Sequence, residues 1–156
     1  MEMVTIRLAT EQDYTSVERI MGQVHNMHVR WRPDIYRDMT PLLPYELYLE
    51  HLNQGQILVA DLAGEAVGLL IFLIRHISGG PMRERKVLFV DSIAVEEGYR
   101  GQGIGHKLLN YVRGLCREGK FDGLELQVNA INTAARAMYE KYGFTEKSIN
   151  MEYSGF

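Results

Sequence analysis

Residues Val87–Leu109 read VLFVDSIAVEEGYRGQGIGHKLL: an apolar run, a short acidic break, Arg100, then glycines at 101, 103 and 105 ahead of a renewed apolar repeat. Glycine loses more conformational freedom on folding than any other residue, so a cluster of them at a helix start calls for a reason. Free N–H groups at a helix N-terminus, reinforced by the helix dipole, attract an anion. The stretch reads as a strand, a phosphate-cradling turn and a helix, and it points to a phosphate-rich cofactor. The competing reading is a flexible surface turn. Two familiar phosphate motifs fail. A Walker A loop needs Gly-Lys and then Ser or Thr, whereas Gly105 is followed by His106 and Lys107. A dinucleotide fingerprint spaces its glycines G-x-G-x-x-G inside a parallel βαβ unit. Here the spacing is G-x-G-x-G, and the strand arrives from a hairpin.

Upstream, MVTIRLA predicts a first strand, and Thr10 with Asp13 three residues on resembles a capping box opening a helix at Glu11. Val17, Ile20, Met21 and Val24 continue at helical spacing. From His28 onward Pro33, Pro41 and Pro44 argue for a loop or broken helix. YELYLEHLN predicts a second short helix. QILVADLAGEAVGLLIFLIRHI predicts two strands turned at LAGE, SGGPMRER a second turn, and KVLFVDSIAV a third strand. Beyond the glycines, Leu108, Leu109, Val112, Leu115 and Cys116 form one helical stripe. GLELQVNA predicts another strand and NTAARAMYEKYGF a helix stopped by Gly143. TEKSINMEYS predicts one or two closing strands. This order is that of an α+β, or mixed α/β, layered domain.

The 156 residues suit one domain over 1–156, with no repeat or linker dividing it. A net charge of −3 without a block of basic residues argues against a nucleic-acid partner. The longest apolar run, AVGLLIFLI, is too short to span a bilayer, and MEMVTIRLATEQD lacks the apolar region of a signal peptide. One cysteine, Cys116, allows no intrachain disulfide and reads as core. The expectation is a cytoplasmic protein that does not engage a membrane.

Arg100-Gly101-Gln102-Gly103-Ile104-Gly105 resembles the R/Q-x-x-G-x-G/A signature of the GNAT superfamily of acyl-CoA-dependent N-acetyltransferases. A second signature follows in the right order: Asn132, Ala135, Tyr139, Gly143 and Phe144 match N-x-x-A-x-x-x-Y-x-x-x-G-F. The element order agrees along nearly the whole chain. The resemblance implies a three-layer domain with a mostly antiparallel, splayed sheet flanked by helices. It also implies that acetyl-CoA is the cofactor, with the amides of Gly101, Gln102, Gly103, Ile104, Gly105 and His106 on its pyrophosphate and Arg100 at the mouth of the turn. The backbone of Ile93, Ala94 and Val95 would pair with the pantetheine arm as with an added strand. Asn132 matches a cofactor-contacting position and is equally an N-cap for the last helix.

Acetyl transfer needs a neutral amine and a proton for the departing thiolate. Tyr139 matches the family tyrosine that protonates sulfur; packing on an amphipathic helix is the other reading. Some relatives place a glutamate base where this chain has Gln127, which departs from their mechanism. Asp91, inside an apolar strand, matches a position where other relatives carry a water-linked base; a structural, hydrogen-bonded aspartate is the alternative. Glu125 is the reserve. His25 and His28 lack a third ligand nearby, so no metal is expected. Trp31, Tyr36 and Tyr45 could wall an amine site or belong to the core. The implied activity is acetyl transfer to a primary amine, on a small molecule or a protein, by direct attack in a ternary complex. A non-catalytic acyl-CoA sensor would keep the glycine turn without needing Tyr139. Relatives are commonly dimeric, which leaves room for a homodimer.

Overall fold

The computed structural model describes residues 3–156; Met1 and Glu2, which open the expected domain span, lie outside the described residues. The elements in order are β1 (Thr5–Leu8), α1 (Tyr14–Trp31), α2 (Tyr45–Asn53), β2 (Ile57–Leu62), β3 (Glu65–Gly79), β4 (Met82–Val95), α3 (Ile104–Glu118), β5 (Gly123–Leu126) and α4 (Thr133–Tyr142). The strands form one open sheet in the order β1-β2-β3-β4-β5. Each neighbouring pair is antiparallel except β4 and β5, which are parallel.

Helices cover both faces. Leu58, Leu70, Leu88 and Val90 point to one face, where they pack with Leu108, Leu109 and Val112 of α3 and Tyr139 of α4. Ile57, Val59, Leu69 and Ile71 point to the other, against Val17 and Ile20 of α1 and Tyr48 of α2. This is the three-layer, mixed α/β arrangement that the element order implied, each strand alternating its side chains between two helix layers.

α1 begins as expected at Thr10, though its first turn, Glu11–Asp13, is 3-10. The Asp13 carboxylate accepts from the Thr10 N–H at 2.8 Å and its hydroxyl at 3.2 Å. Arg7 reaches Asp13 at 2.8 Å and Asp61 at 2.7 Å, tying β1 to β2 and to the helix entrance. Burial works to raise the Asp13 carboxyl, but the bonds from Arg7 and Thr10 outweigh it and hold the group below its usual range. The helix runs a turn beyond the expected break, to Trp31, and stops where Arg32 must turn extended ahead of Pro33.

Three expectations are corrected. The turn expected over SGGPMRER shrinks to Gly80-Pro81, because Gly79 and Gly80 adopt positive φ and let β3 and β4 continue as a ribbon. The strand GLELQVNA ends at Leu126. No strand follows α4 among the described residues, and 145–156 are exposed; the segment has no ladder partner, which leaves β5 as the sheet's edge.

At Gly68 the start of α3 lies close against the sheet. A Cβ there would meet Ile104 Cγ2 at 3.1 Å, Ala60 Cβ at 3.3 Å and the Ala94 carbonyl at 3.3 Å. The bare backbone of β3 thus seats the start of α3, and with it the glycine turn. Gly68→Val is expected to destabilise the fold by about 1–3 kcal/mol through overpacking, read as a lowered urea midpoint with an unchanged slope.

Candidate active site

β4 has a hydrogen-bonded neighbour on its β5 side only from Val87 to Val90, opposite Gly123 to Leu126. Past that point the two strands part. The parting coincides with a bulge: Phe72 faces Val90 while Ile71 faces Ser92, so Asp91 has no partner on β3. The extra residue inverts the strand's faces. Leu88 and Val90 pack with the α3–α4 layer, whereas Ala94, four residues further and of the same parity, packs with the α1–α2 layer.

The gap opens into a cleft of about 350 Å³, lined by Asp91 to Ala94 on one side and Leu126 to Asn129 on the other. α1 contributes Met21, Val24, His25 and His28, the following loop Leu42, and α4 Asn132 and Tyr139. Asp91, expected as a costly inward carboxylate, is exposed because the bulge turns it out. Its carboxylate makes no hydrogen bond with the described residues, so the structural-aspartate reading loses its motive and a free carboxylate faces the cleft.

Tyr139 is 9% exposed, and burial pushes its phenol up to about 12. No hydrogen bond to it is formed by a described residue, yet no buried side-chain polar atom is left without a partner. The ring is therefore packed, edge-on to Phe144, while the hydroxyl opens to the cleft. The packing reading of Tyr139 thus describes its ring, and its hydroxyl is left accessible.

Glu96 N–H donates to the Val67 carbonyl at 2.9 Å. By the alternation of a ladder, Ala94 also bonds toward β3, while Ile93 and Val95 turn their N–H and C=O groups to the open side. Arg100 Nε donates to the Val95 carbonyl at 2.9 Å, which folds the arginine back over the strand's end. In the turn, Gly101 and Gly103 take φ of +80° and +82°, and a Cβ on either would meet nothing within 4 Å. These two glycines answer to backbone conformation, with open space above them. Gly105 is ordinary helix. The first helical bond runs from Lys107 N–H to the Gly103 carbonyl at 3.1 Å, which leaves the amides of Ile104, Gly105 and His106 pointing out of the N-terminus. Asn132 caps α4, its Oδ1 accepting from Ala135 N–H at 3.2 Å, and also lines the cleft.

The α1 side of the cleft is braced by residues that sequence patterns did not single out. Glu18 accepts from the N–H groups of Leu42 and Leu43 at 3.0 and 2.6 Å, pinning their loop to α1. Gln23 accepts from Glu97 N–H at 2.9 Å, fastening α1 to the segment before the glycine turn. Such bonds depend on distant pairs that no local pattern marks. His25 and His28 each spend a ring nitrogen on a carbonyl, of Arg37 and Val24, and no cluster of metal-ligating residues occurs among the described residues. Tyr36 lies against both histidine rings and Trp31 against His28. Tyr45 instead packs on Tyr14 and Tyr48, away from the cleft. Glu125 is held by Lys147 at 2.9 Å and Arg85 at 3.4 Å. The Lys147 bond, opposed by desolvation, leads in holding its carboxyl low, which suits an ion pair better than a base.

The model of the acetyltransferase (GNAT) family matches residues 23–144. N-alpha-acetyltransferase 50 of Danio rerio is 34% identical over 101 residues, which are 64% of this chain and 57% of that protein. The chain thus spans little more than half the length of that curated relative. A crystallised mutant of the BH1408 protein of Bacillus halodurans superposes with a TM-score of 0.92 at 29% identity, over 97% of this chain and 99% of that one. An aminoglycoside N-acetyltransferase, AAC(6')-Iy, solved with CoA, shares the fold with a TM-score of 0.72 at 18% identity, over 99% and 95% of the two chains.

Gly103→Asp should weaken coenzyme A binding roughly 100-fold, ~2.7 kcal/mol, because it strains a positive φ and sets a carboxylate among the free amides. Calorimetric titration against the wild type, with ATP and NAD as controls, reads the loss.

Proposed function

This chain belongs to the GNAT acetyltransferase family, and from that premise we propose that it transfers an acetyl group from acetyl-CoA to a primary amine as one domain over residues 1–156. The single observation that carries the proposal is the gap between β4 and β5, with the free glycine-turn amides at one end and Asp91 and Tyr139 facing into it. The amides of Gly101 to His106 and the Arg100 guanidinium suit a pyrophosphate. Ile93 and Val95 suit an amide-bearing arm laid along the strand, Ala94 lending its backbone to β3 instead. AAC(6')-Iy, of the same fold, was solved with CoA, which supports the same ligand here.

Acetyl-CoA supplies the thioester; the chain supplies proton transfer and position. Asp91, which has no cation partner among the described residues, takes the proton that an alkylammonium must lose before it can attack. Tyr139 gives its hydroxyl proton to the departing sulfur. A phenol raised to about 12 remains a neutral donor throughout the physiological range. Asn132 holds the start of α4 and so the place of Tyr139. The name of the Danio rerio relative, an N-alpha-acetyltransferase, supports a protein N-terminal amine as acceptor. Gln127 lines the cleft, and its amide can bond a substrate without taking its proton. No helix of the described residues is long and apolar enough to cross a membrane. An acyl-CoA sensor has no use for a phenol opened to the cleft.

Asp91→Asn should lower kcat about 100-fold or more with coenzyme A affinity unchanged, measured by thiol release with a panel of peptide and small amines. Equal turnover in the variant would pass the proton to water alone. Tyr139→Phe should lower kcat by a similar factor. Because burial raises the phenol, its loss as a donor falls near pH 12, well above the ordinary tyrosine value near 10. The wild-type kcat profile should hold its plateau through pH 10, and a descending limb there that disappears in Tyr139→Phe would contradict the assignment.

A further inference from the structure

The β3–β4 ribbon beyond Leu73 takes no part in the proposed chemistry. Residues 75–86 carry Arg75, Arg83, Arg85 and Lys86 against a single acid, Glu84, in a chain of net charge −3. The ladder sorts these charges by face. Ile71 packs with α1 and α2, and alternation puts Leu73, Arg75 and Ile77 on that same side of β3. Opposite them on β4 stand Phe89, Val87 and Arg85, with Arg83 two residues beyond Arg85. Glu84 and Lys86 fall on the other side. The α1 side of the ribbon thus bears three arginines and none of the ribbon's acids. The apolar packing of α1 and α2 on β3 ends at Ile71, and Arg75 and Arg83 are exposed.

Arg75 is also held in place. Phe89 is buried, and the Arg75 guanidinium lies over its ring, 3.6 Å from the ring centre. Stacking on a ring orients the planar group and leaves its N–H edge free for a carboxylate. Neither Arg75 nor Arg83 is paired with a carboxylate of the described residues, whereas Arg85 is spent on Glu125, which Lys147 also holds. Phe89 lies two residues before Asp91, the group that meets the acceptor's ammonium in the function proposed above. An extended chain advances about 3.3 Å per residue. With its amine at Asp91, such a chain running back along β4 brings its second or third residue over Phe89 and Arg75. Resting on that function, we infer that the acceptor is a polypeptide with an acidic residue at its second or third position, whose carboxylate Arg75 takes. Ammonium first and carboxylate next is the order that Asp91 and Arg75 complement. Arg83 lies six residues up the strand from Phe89, on the order of 20 Å away. The cationic row therefore outruns a small amine and suits a polypeptide, which it also draws in at longer range.

Paired peptides that differ only in glutamate or glutamine at positions two and three test this acceptor. Each carries a C-terminal fluorophore, so that acetyl transfer and binding by anisotropy are both read on the full chain. The wild type should favour the glutamate peptide roughly tenfold in kcat/KM, and the ratio should shrink as salt is raised. Arg75→Met, which keeps an apolar chain on Phe89, should bring the ratio to about one, a change that general damage to the fold does not produce. Arg75→Lys, which keeps the charge without the planar fork, should recover part of the ratio. Turnover indifferent to the acid, or a preference that survives Arg75→Met, overturns the inference and leaves acetyl transfer standing. So does a single-stranded RNA that displaces the acidic peptide and loses its hold in Arg75→Met, because the row then serves nucleic acid. If no amine is acetylated, the proposed transfer fails separately. Binding selective for the acidic peptide and abolished by Arg75→Met then still upholds the docking on Arg75, and unselective binding overturns it as well.

Discussion

A strand inside a sheet needs hydrogen-bond partners on both sides, and β4 has them on its β5 side only as far as Val90. What lies beyond follows from that shortage. Ile93 and Val95 keep backbone groups turned to the gap, and Arg100 folds back to take the Val95 carbonyl. The chain then enters the glycine turn, where the backbone again has donors to spare. A run of unsatisfied main-chain groups, first along a strand and then at a helix end, matches a long ligand with amides in its middle and phosphates at one end. Closing the sheet would satisfy β4 and remove the binding surface.

The gap also decides which side chains can meet. α1 lies on one face of the sheet and α4 on the other. Over an unbroken sheet, His25 and His28 could never share a cavity with Tyr139; here they line one cleft. The bulge at Asp91 adds a second effect of the same kind. One extra residue sends Ala94 to the α1 layer and lets a carboxylate stand in an otherwise apolar strand without being buried.

Much of this was legible in the chain's own pattern. Residues whose task is set by local backbone, such as Gly101 and Gly103 at positive φ or Asn132 as a cap, announce themselves through residue type. The helical stripe of α3 and the packing of the Tyr139 ring follow from periodicity. Asp91 stands out by its match to a family position and by the cost of an ionisable group in an apolar run; the second ground does not hold, because only pairing with β3 reveals the bulge that exposes it. The parting of β4 and β5, the seat that Gly68 makes for α3 and the clasp of Glu18 on Leu42 and Leu43 are relations between distant segments. Tyr45 had the composition of a cleft wall but stacks with Tyr14 and Tyr48 because α2 carries it to another part of the α1 layer.

The closing strands failed for a different reason. TEKSINMEYS has the alternation of a strand yet forms none among the described residues. A strand, however, is defined by its neighbour, and alternation says which side of a segment will be covered without saying by what. The glycine turn poses the same problem at the other end of β4: free amides and positive φ specify an anion-sized absence in the fold. In both places the chain encodes half of a contact, and the described residues do not supply the other half. That is why an exposed apolar row and a row of idle amides are informative in the same way. Each is a cost in the isolated chain, set by groups that the rest of the fold does not cover.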